Sequence, residues 1–250
     1  MKLVTAFFMA WGMFCAIPCP YRKWEDALRP LMLACFPLVG LLLGVLWALA
    51  AVCLELAGGL GLFGAVLLAV LPYLLNGFIH LDGFMDCCDA ILSRRGLEER
   101  RRILKDSHVR SFAVICLAIL LLLNVAAFYE IGPLGSRVWL LAGIPCAARC
   151  PSALAVMKLP PMDTSSYAGT FRQGVRNSHG AMVWVALAAV LAVPVLLAGR
   201  SGLCCAFAAV GGAIAIWRGV HHLQGMNGDI SGLGVTVGEL CGVAALIFLG

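Results

Sequence analysis

Charged side chains are scarce in this sequence: Asp, Glu, Lys and Arg make up 12% of its 250 residues, about half the share of a soluble domain. So few charges cannot clothe a soluble fold, and a mean hydropathy of +0.97 with 62% hydrophobic residues places the chain in a bilayer. Sustained alternation of apolar and polar residues is missing too, which argues against the strands of an outer-membrane barrel. The long runs rich in Gly, Ala and Leu predict helices instead. The 12 cysteines show no spaced Cys-x-x-Cys pairs and no Cys/His zinc pattern, so they are read as reduced thiols acting as small apolar residues. There is no internal repeat, no low-complexity linker and no soluble surface on which a nucleic-acid-binding basic stripe could sit.

An all-α fold follows: one integral-membrane domain over residues 1–250, a polytopic bundle of about six or seven transmembrane helices. Spans are predicted at Leu31–Leu56, Leu60–Ile79, Ser111–Tyr129, Val138–Met157, Ala181–Leu197, Leu203–Trp217 and Gly232–Phe248. The apolar segment Leu3–Cys19 ends in Pro18-Cys19-Pro20 without a small-x-small cleavage site. It is read as a retained or re-entrant segment rather than a signal peptide. If the loop at 20–30 is cytoplasmic, alternation puts 80–110, 158–180 and 218–231 on that side with most of the basic residues. The opposite loops, near 57–59, 130–137 and 198–202, carry only Arg137 and Arg200. Polar chemistry is therefore expected at the cytoplasmic face of the membrane.

What charge there is concentrates. Six of the 13 acidic and seven of the 18 basic residues fall between positions 82 and 110. Asp82, Asp86 and Asp89 are spaced to share one face of a helix, and the residues 80–89 are expected to continue straight from the preceding span. Three like charges so placed repel unless a cation compensates, and hard oxygen donors suit Mg²⁺, or Mn²⁺ in its stead. His80 points to another part of that helix and is a candidate base or a passive interfacial residue. The run Glu98–Asp106 reads as a short amphipathic helix on the membrane surface. Arg94, Arg95 and Arg100 fit a positive-inside anchor, whereas Lys105 and Asp106, nearest the next span, are better placed to face a phosphate and a metal. Arg149 sits within a span, where an arginine must be paired, wet or snorkelling. Gln224–Gly232 is a glycine-rich turn that exposes backbone N–H groups, followed by the intramembrane Glu239.

Together these pieces resemble the cobalamin synthase family, the adenosylcobinamide-GDP ribazoletransferases. The family's His-x-Asp-Gly-x-x-Asp-x-x-Asp-Gly block, its basic stretch ending in Lys-Asp-Ser-Arg, and its Gly-Gly-x-Thr-Gly-Asp-x-x-Gly turn before a glutamate match His80–Ala90, Arg100–Phe112 and Gln224–Glu239. Ile17-Pro18-Cys19-Pro20 and Phe36-Pro37-Leu38-Val39-Gly40 also look like the family pattern, so the resemblance covers essentially the whole chain. The sequence departs from it at Ala90, Arg110 and Ala113, where the family has glycine, at His108 for arginine and at Asn227 for threonine. The resemblance implies transfer of the adenosylcobinamide phosphate group from adenosylcobinamide-GDP to α-ribazole or its 5′-phosphate, with release of GMP. It implies Mg²⁺ at Asp82, Asp86 and Asp89, and Asp106 or His80 as the catalytic proton acceptor. Arg102, Lys105, Arg149, Asn227, Gly228, Asp229 and Glu239 would then bind substrate, and other enzymes of the pathway are implied as partners in the membrane. The acidic helix resembles the CDP-alcohol phosphotransferases more loosely, because Met85-Asp86 replaces the Ala-Arg that follows their Asp-Gly pair. A divalent-cation transporter would spread its acids over several spans at the midplane, whereas here they cluster at one face.

Overall fold

The computed structural model describes residues 1–58, 61–162 and 167–249. Among these residues the chain is almost wholly helical, and its one β-type pairing is the isolated bridge between Pro161 and Met226. In chain order the helices are α1 (Lys2–Phe14), α2 (Arg29–Ala34), α3 (Phe36–Leu56), α4 (Gly61–Leu75), α5 (Ile79–Leu92), α6 (Leu97–Leu104), α7 (Ser111–Ile131), α8 (Leu140–Lys158), α9 (Tyr167–Arg172), α10 (Asn177–Ala198), α11 (Cys204–Leu223) and α12 (Gly228–Leu249). Gly59 and Leu60, at the predicted second loop and span, and residues 163–166 of the predicted loop at 158–180 lie outside the described residues.

Five apolar helical segments are long enough to cross a bilayer, and α4 with α5 makes a sixth if that bent pair is one span. One of the five, Asn177–Leu223, doubles back on itself. Gly143 of α8 faces Val190 and Pro194 of α10 but also Cys205 at the start of α11. Further along α8, Lys158 reaches Trp184 of α10, while Ala148 faces Gly212 of α11. The two helices therefore run past α8 in opposite directions, as the separate predicted spans require. The chain is a multi-pass all-α membrane bundle.

Helix α1 is 13 residues long, about 20 Å, and too short to traverse a hydrocarbon core of about 30 Å. The chain beyond it is tied to the bundle where Ala16 donates its N–H to the carbonyl of Leu75, 2.8 Å away.

The core is α8, sheathed by α3, α10, α11 and α12 and buried along nearly its whole length. Small residues permit this close packing, which is the usual basis of helix association in lipid. A Cβ at Gly44 of α3 would lie 2.5 Å from the Ala142 carbonyl, and one at Gly238 of α12 would lie 2.7 Å from that of Ala208.

The largest correction to the sequence reading concerns α5. It does not continue straight from the span before it; the axes of α4 and α5 meet at 94°. Gly77 (φ 64°) and Phe78 (φ 62°) both adopt the left-handed conformation, which a helix cannot propagate. Predicted Leu31–Leu56 is likewise broken, between Ala34 and Phe36, where Pro37 occupies the first turn of α3.

The polar segments meet at one end of the bundle. Arg101 of α6 donates to the carbonyls of Leu223 (3.0 Å) and Gln224 (2.8 Å), satisfying the exposed C-terminus of α11. Met226 N–H donates to Pro160 at 2.8 Å, and Met162 N–H to Met226 at 2.9 Å. Helix α6 and the loops around 160 and 225 are thereby stitched together beside α5.

Candidate active site

Helix α5 carries its three aspartates down a gradient of burial: Asp82 is exposed, Asp86 half-buried and Asp89 buried. Helix α12 crosses it closely enough that a Cβ at Gly83 would lie 2.7 Å from the Cα of Asp229, and one at Gly232 would lie 2.7 Å from the His80 carbonyl. Gly83 therefore serves the approach of a neighbouring helix. The same carbonyl accepts a hydrogen bond from Thr236 Oγ1 at 3.2 Å. This crossing sets Asp229 within electrostatic range of both Asp82 and Asp86.

Asn227 is the N-cap of α12: its Oδ1 accepts the N–H of Ile230 at 3.0 Å, and its amide donates to Asp229 Oδ2 at 2.6 Å. Threonine, the family residue here, is also an N-capping type, so this departure preserves the local structure. Asp229 lies in the first turn, where the helix dipole favours an anion. Just upstream, Gln224 is held at φ 51°, a left-handed conformation that a glycine would adopt without strain.

Asp89 has a second occupation. Its Oδ2 accepts the N–H of Arg110 at 2.7 Å and its Oδ1 that of Ala113 at 2.9 Å, so a side chain of α5 caps α7. Asp106 is pinned as well: Oδ1 accepts from the His108 backbone (3.1 Å) and sits 2.7 Å from its ring Nδ1, while Oδ2 accepts from Arg110 Nη2 at 2.7 Å. These bonds, from His108 and then Arg110, hold the Asp106 carboxyl well below the usual carboxylate range. Two family departures, His108 and Arg110, thus share one role. Lys105, exposed, precedes Asp106 at the end of α6, and Arg102 is exposed with its guanidinium 2.8 Å from Glu99.

The remaining expected site residues lie deeper. His80 is buried between the rings of Phe14 (centroids 5.9 Å) and Phe36 (5.5 Å), and its Nε2 has no partner among the described residues. Arg149 and Glu239 pair with each other at 2.6 Å, with side chains only 1% and 4% exposed. Arg149 also donates to the Pro145 carbonyl at 3.0 Å and lies 5.5 Å from the Phe36 ring centroid. The demand of a buried arginine for a partner is met by Glu239.

The sequence reading gave Arg100 only an anchoring task and singled out no task for Arg101, yet both bond the C-terminal turn of α11. Their signal was available in part, since a basic run must find acceptors once its helix packs. The partner helix, more than 100 residues on, was not.

Mg²⁺ can be tested against the donors present. Among the described residues, no three His, Cys, Asp or Glu side chains already converge as a closed metal site. The Asp82 and Asp86 carboxylates accept no hydrogen bond from the described residues, so their lone pairs are open. Mg²⁺ commonly takes one or two carboxylates and completes its shell with water and substrate phosphates. The donor set fits that manner of binding.

A family model described as cobalamin-5-phosphate synthase matches residues 6–247. A Clostridium perfringens (strain SM101) protein named adenosylcobinamide-GDP ribazoletransferase is 32% identical over 96% of this chain and 96% of its own length. Proteins of the same name from Clostridium botulinum (strain Alaska E43) and Shigella boydii are 29% and 27% identical, over 97% and 92% of this chain and 96% and 94% of theirs. No solved structure matches. With its three polar blocks gathered at one end of the bundle and the family pattern running through nearly all its length, the chain belongs to the cobalamin-5-phosphate synthase family.

Proposed function

We propose that this chain transfers the adenosylcobinamide phosphate group from adenosylcobinamide-GDP to a ribose hydroxyl of α-ribazole or its 5′-phosphate. A new O–P bond forms, the P–O bond to GMP breaks, GMP leaves, and the hydroxyl proton passes to a carboxylate of the protein. The observation that carries this reading is the crossing of α5 and α12 at Gly83 and Asp229, which sets open carboxylates beside a helix N-terminus at the polar end of the bundle. That is an arrangement for a metal–diphosphate group.

Asp82 and Asp86, with Asp229 from α12, would hold Mg²⁺ or Mn²⁺, and Asp89 borders the same face. Bound there, the ion would supply charge neutralisation on the diphosphate. Lys105 and Arg102 offer cationic contacts to the phosphates. Asp106 takes the proton; phosphoryl transfer through a loose transition state asks little of its base, so a carboxylate of low basicity serves. The Arg149–Glu239 pair and His80 act from below, fixing α8, α12 and α5 relative to one another. The polar end, which carries the basic loops, faces the cytoplasm.

The test is product formation by the detergent-solubilised full chain given adenosylcobinamide-GDP, α-ribazole and Mg²⁺. Adenosylcobalamin should appear only when both organic substrates are present. A folded protein that makes none would overturn the proposal.

A further inference from the structure

Between the end of α8 and the start of α10, sharing no lining residue with the acidic helix, a cavity of about 520 Å³ is lined by Lys158, Arg172, Arg176, Asn177 and Trp184, with apolar Met157 and Val175 among them. Lys158 Nζ lies 5.5 Å from the centroid of the Trp184 ring, within cation–π range. Arg172 spends one guanidinium nitrogen on the Leu159 carbonyl at 3.2 Å. Among the described residues no carboxylate lines the cavity or pairs with any of the three cations. Arg176 and Asn177 stand at the start of the 22-residue helix α10, whose dipole adds positive potential. Along α10 from the cavity, the face that carries Trp184 stays apolar and exposed, with Trp184 52% and, three turns on, Val195 37% exposed.

We propose that this cavity binds the phosphate of an anionic phospholipid. Three cations with no carboxylate partner among the described residues, beside a helix N-terminus, select a phosphate ester. The tryptophan sits where aromatic rings mark the membrane–water boundary, and the apolar strip of α10 continues from the cavity along the path of an acyl chain. A free nucleotide would bring the same phosphate chemistry but has no use for that strip. The site is separate from the carboxylates of α5, and it stands or falls independently of the reaction proposed above.

The experiment uses the full chain in nanodiscs and reads tryptophan quenching by brominated phosphatidylglycerol or brominated phosphatidylcholine. The Trp184 signal is obtained by difference from Trp184→Phe. The anionic lipid should quench Trp184 at lower mole fraction than the zwitterionic one. That preference should fall about fivefold for each cation removed in Lys158→Gln, Arg172→Gln and Arg176→Gln, and should be retained in Arg172→Lys. Each variant's melting temperature shows whether it is folded. Equal quenching by the two lipids would overturn the proposal. So would GMP or inorganic phosphate displacing the brominated phosphatidylglycerol in the wild type, which would assign the cavity to a soluble anion.

Discussion

The backbones of Gly83 and Asp229 are in contact: a Cβ on the first would lie 2.7 Å from the Cα of the second. Two helices far apart in sequence are thereby locked so that acidic groups from both face the same space. Gly83→Ala should force α5 and α12 apart, cost about 1–3 kcal/mol as overpacking does, and lower turnover more than it lowers substrate affinity. Thermal melting beside steady-state kinetics checks this. Wild-type stability and turnover in the variant would show that the contact is slack.

Asp89 is the cap of α7 through its bonds to Arg110 and Ala113. Asp89→Ala should cost about 1–2 kcal/mol, the range for a lost helix cap, and leave Mn²⁺ affinity, read by electron paramagnetic resonance, little changed. Asp82→Ala and Asp86→Ala should do the reverse. Loss of Mn²⁺ binding in the Asp89 variant would make it a ligand first and a cap second.

Arg149 and Glu239 form a buried pair of 2.6 Å. Glu239→Gln strands the arginine and should destabilise by about 3–5 kcal/mol, whereas the double change Arg149→Met with Glu239→Leu should come close to wild-type stability. If the double variant melts normally but its KM for adenosylcobinamide-GDP rises sharply, the pair touches substrate rather than only bracing the bundle.

The Asp106 carboxyl is held well below the usual carboxylate range by His108 and Arg110. A depressed folded-state value means the stabilisation is fully present above the unfolded-state value of about 4 and is lost only as pH falls through the lower folded-state value. The stabilising difference in melting temperature between wild type and Asp106→Asn should therefore persist, without shrinking, from pH 8 down to pH 5. Convergence of the two curves toward pH 5 would contradict this.

Much of the architecture was legible because composition and run length alone dictate a helical membrane bundle. The candidate site was legible where its members are near in sequence, as in Asp82, Asp86 and Asp89, or in Asn227 just before Gly228-Asp229. Three features were not. The 94° bend rests on a Gly77–Phe78 pair in left-handed conformation, and Phe78 gives no sign of tolerating it. The cap from Asp89 to Ala113 depends on where α7 begins in space. The pairing of Arg149 with Glu239 joins residues on helices whose adjacency no local pattern records.

The central claim is that the carboxylates at the α5–α12 crossing support metal-dependent transfer to α-ribazole. Its most direct test is GMP release by the purified full chain from adenosylcobinamide-GDP, with and without α-ribazole and Mg²⁺, beside Asp82→Ala. Release that needs the ribazole, the metal and Asp82 together is the predicted result. Release unaffected by Asp82→Ala, or none from a folded wild-type protein that binds Mg²⁺, would contradict the account.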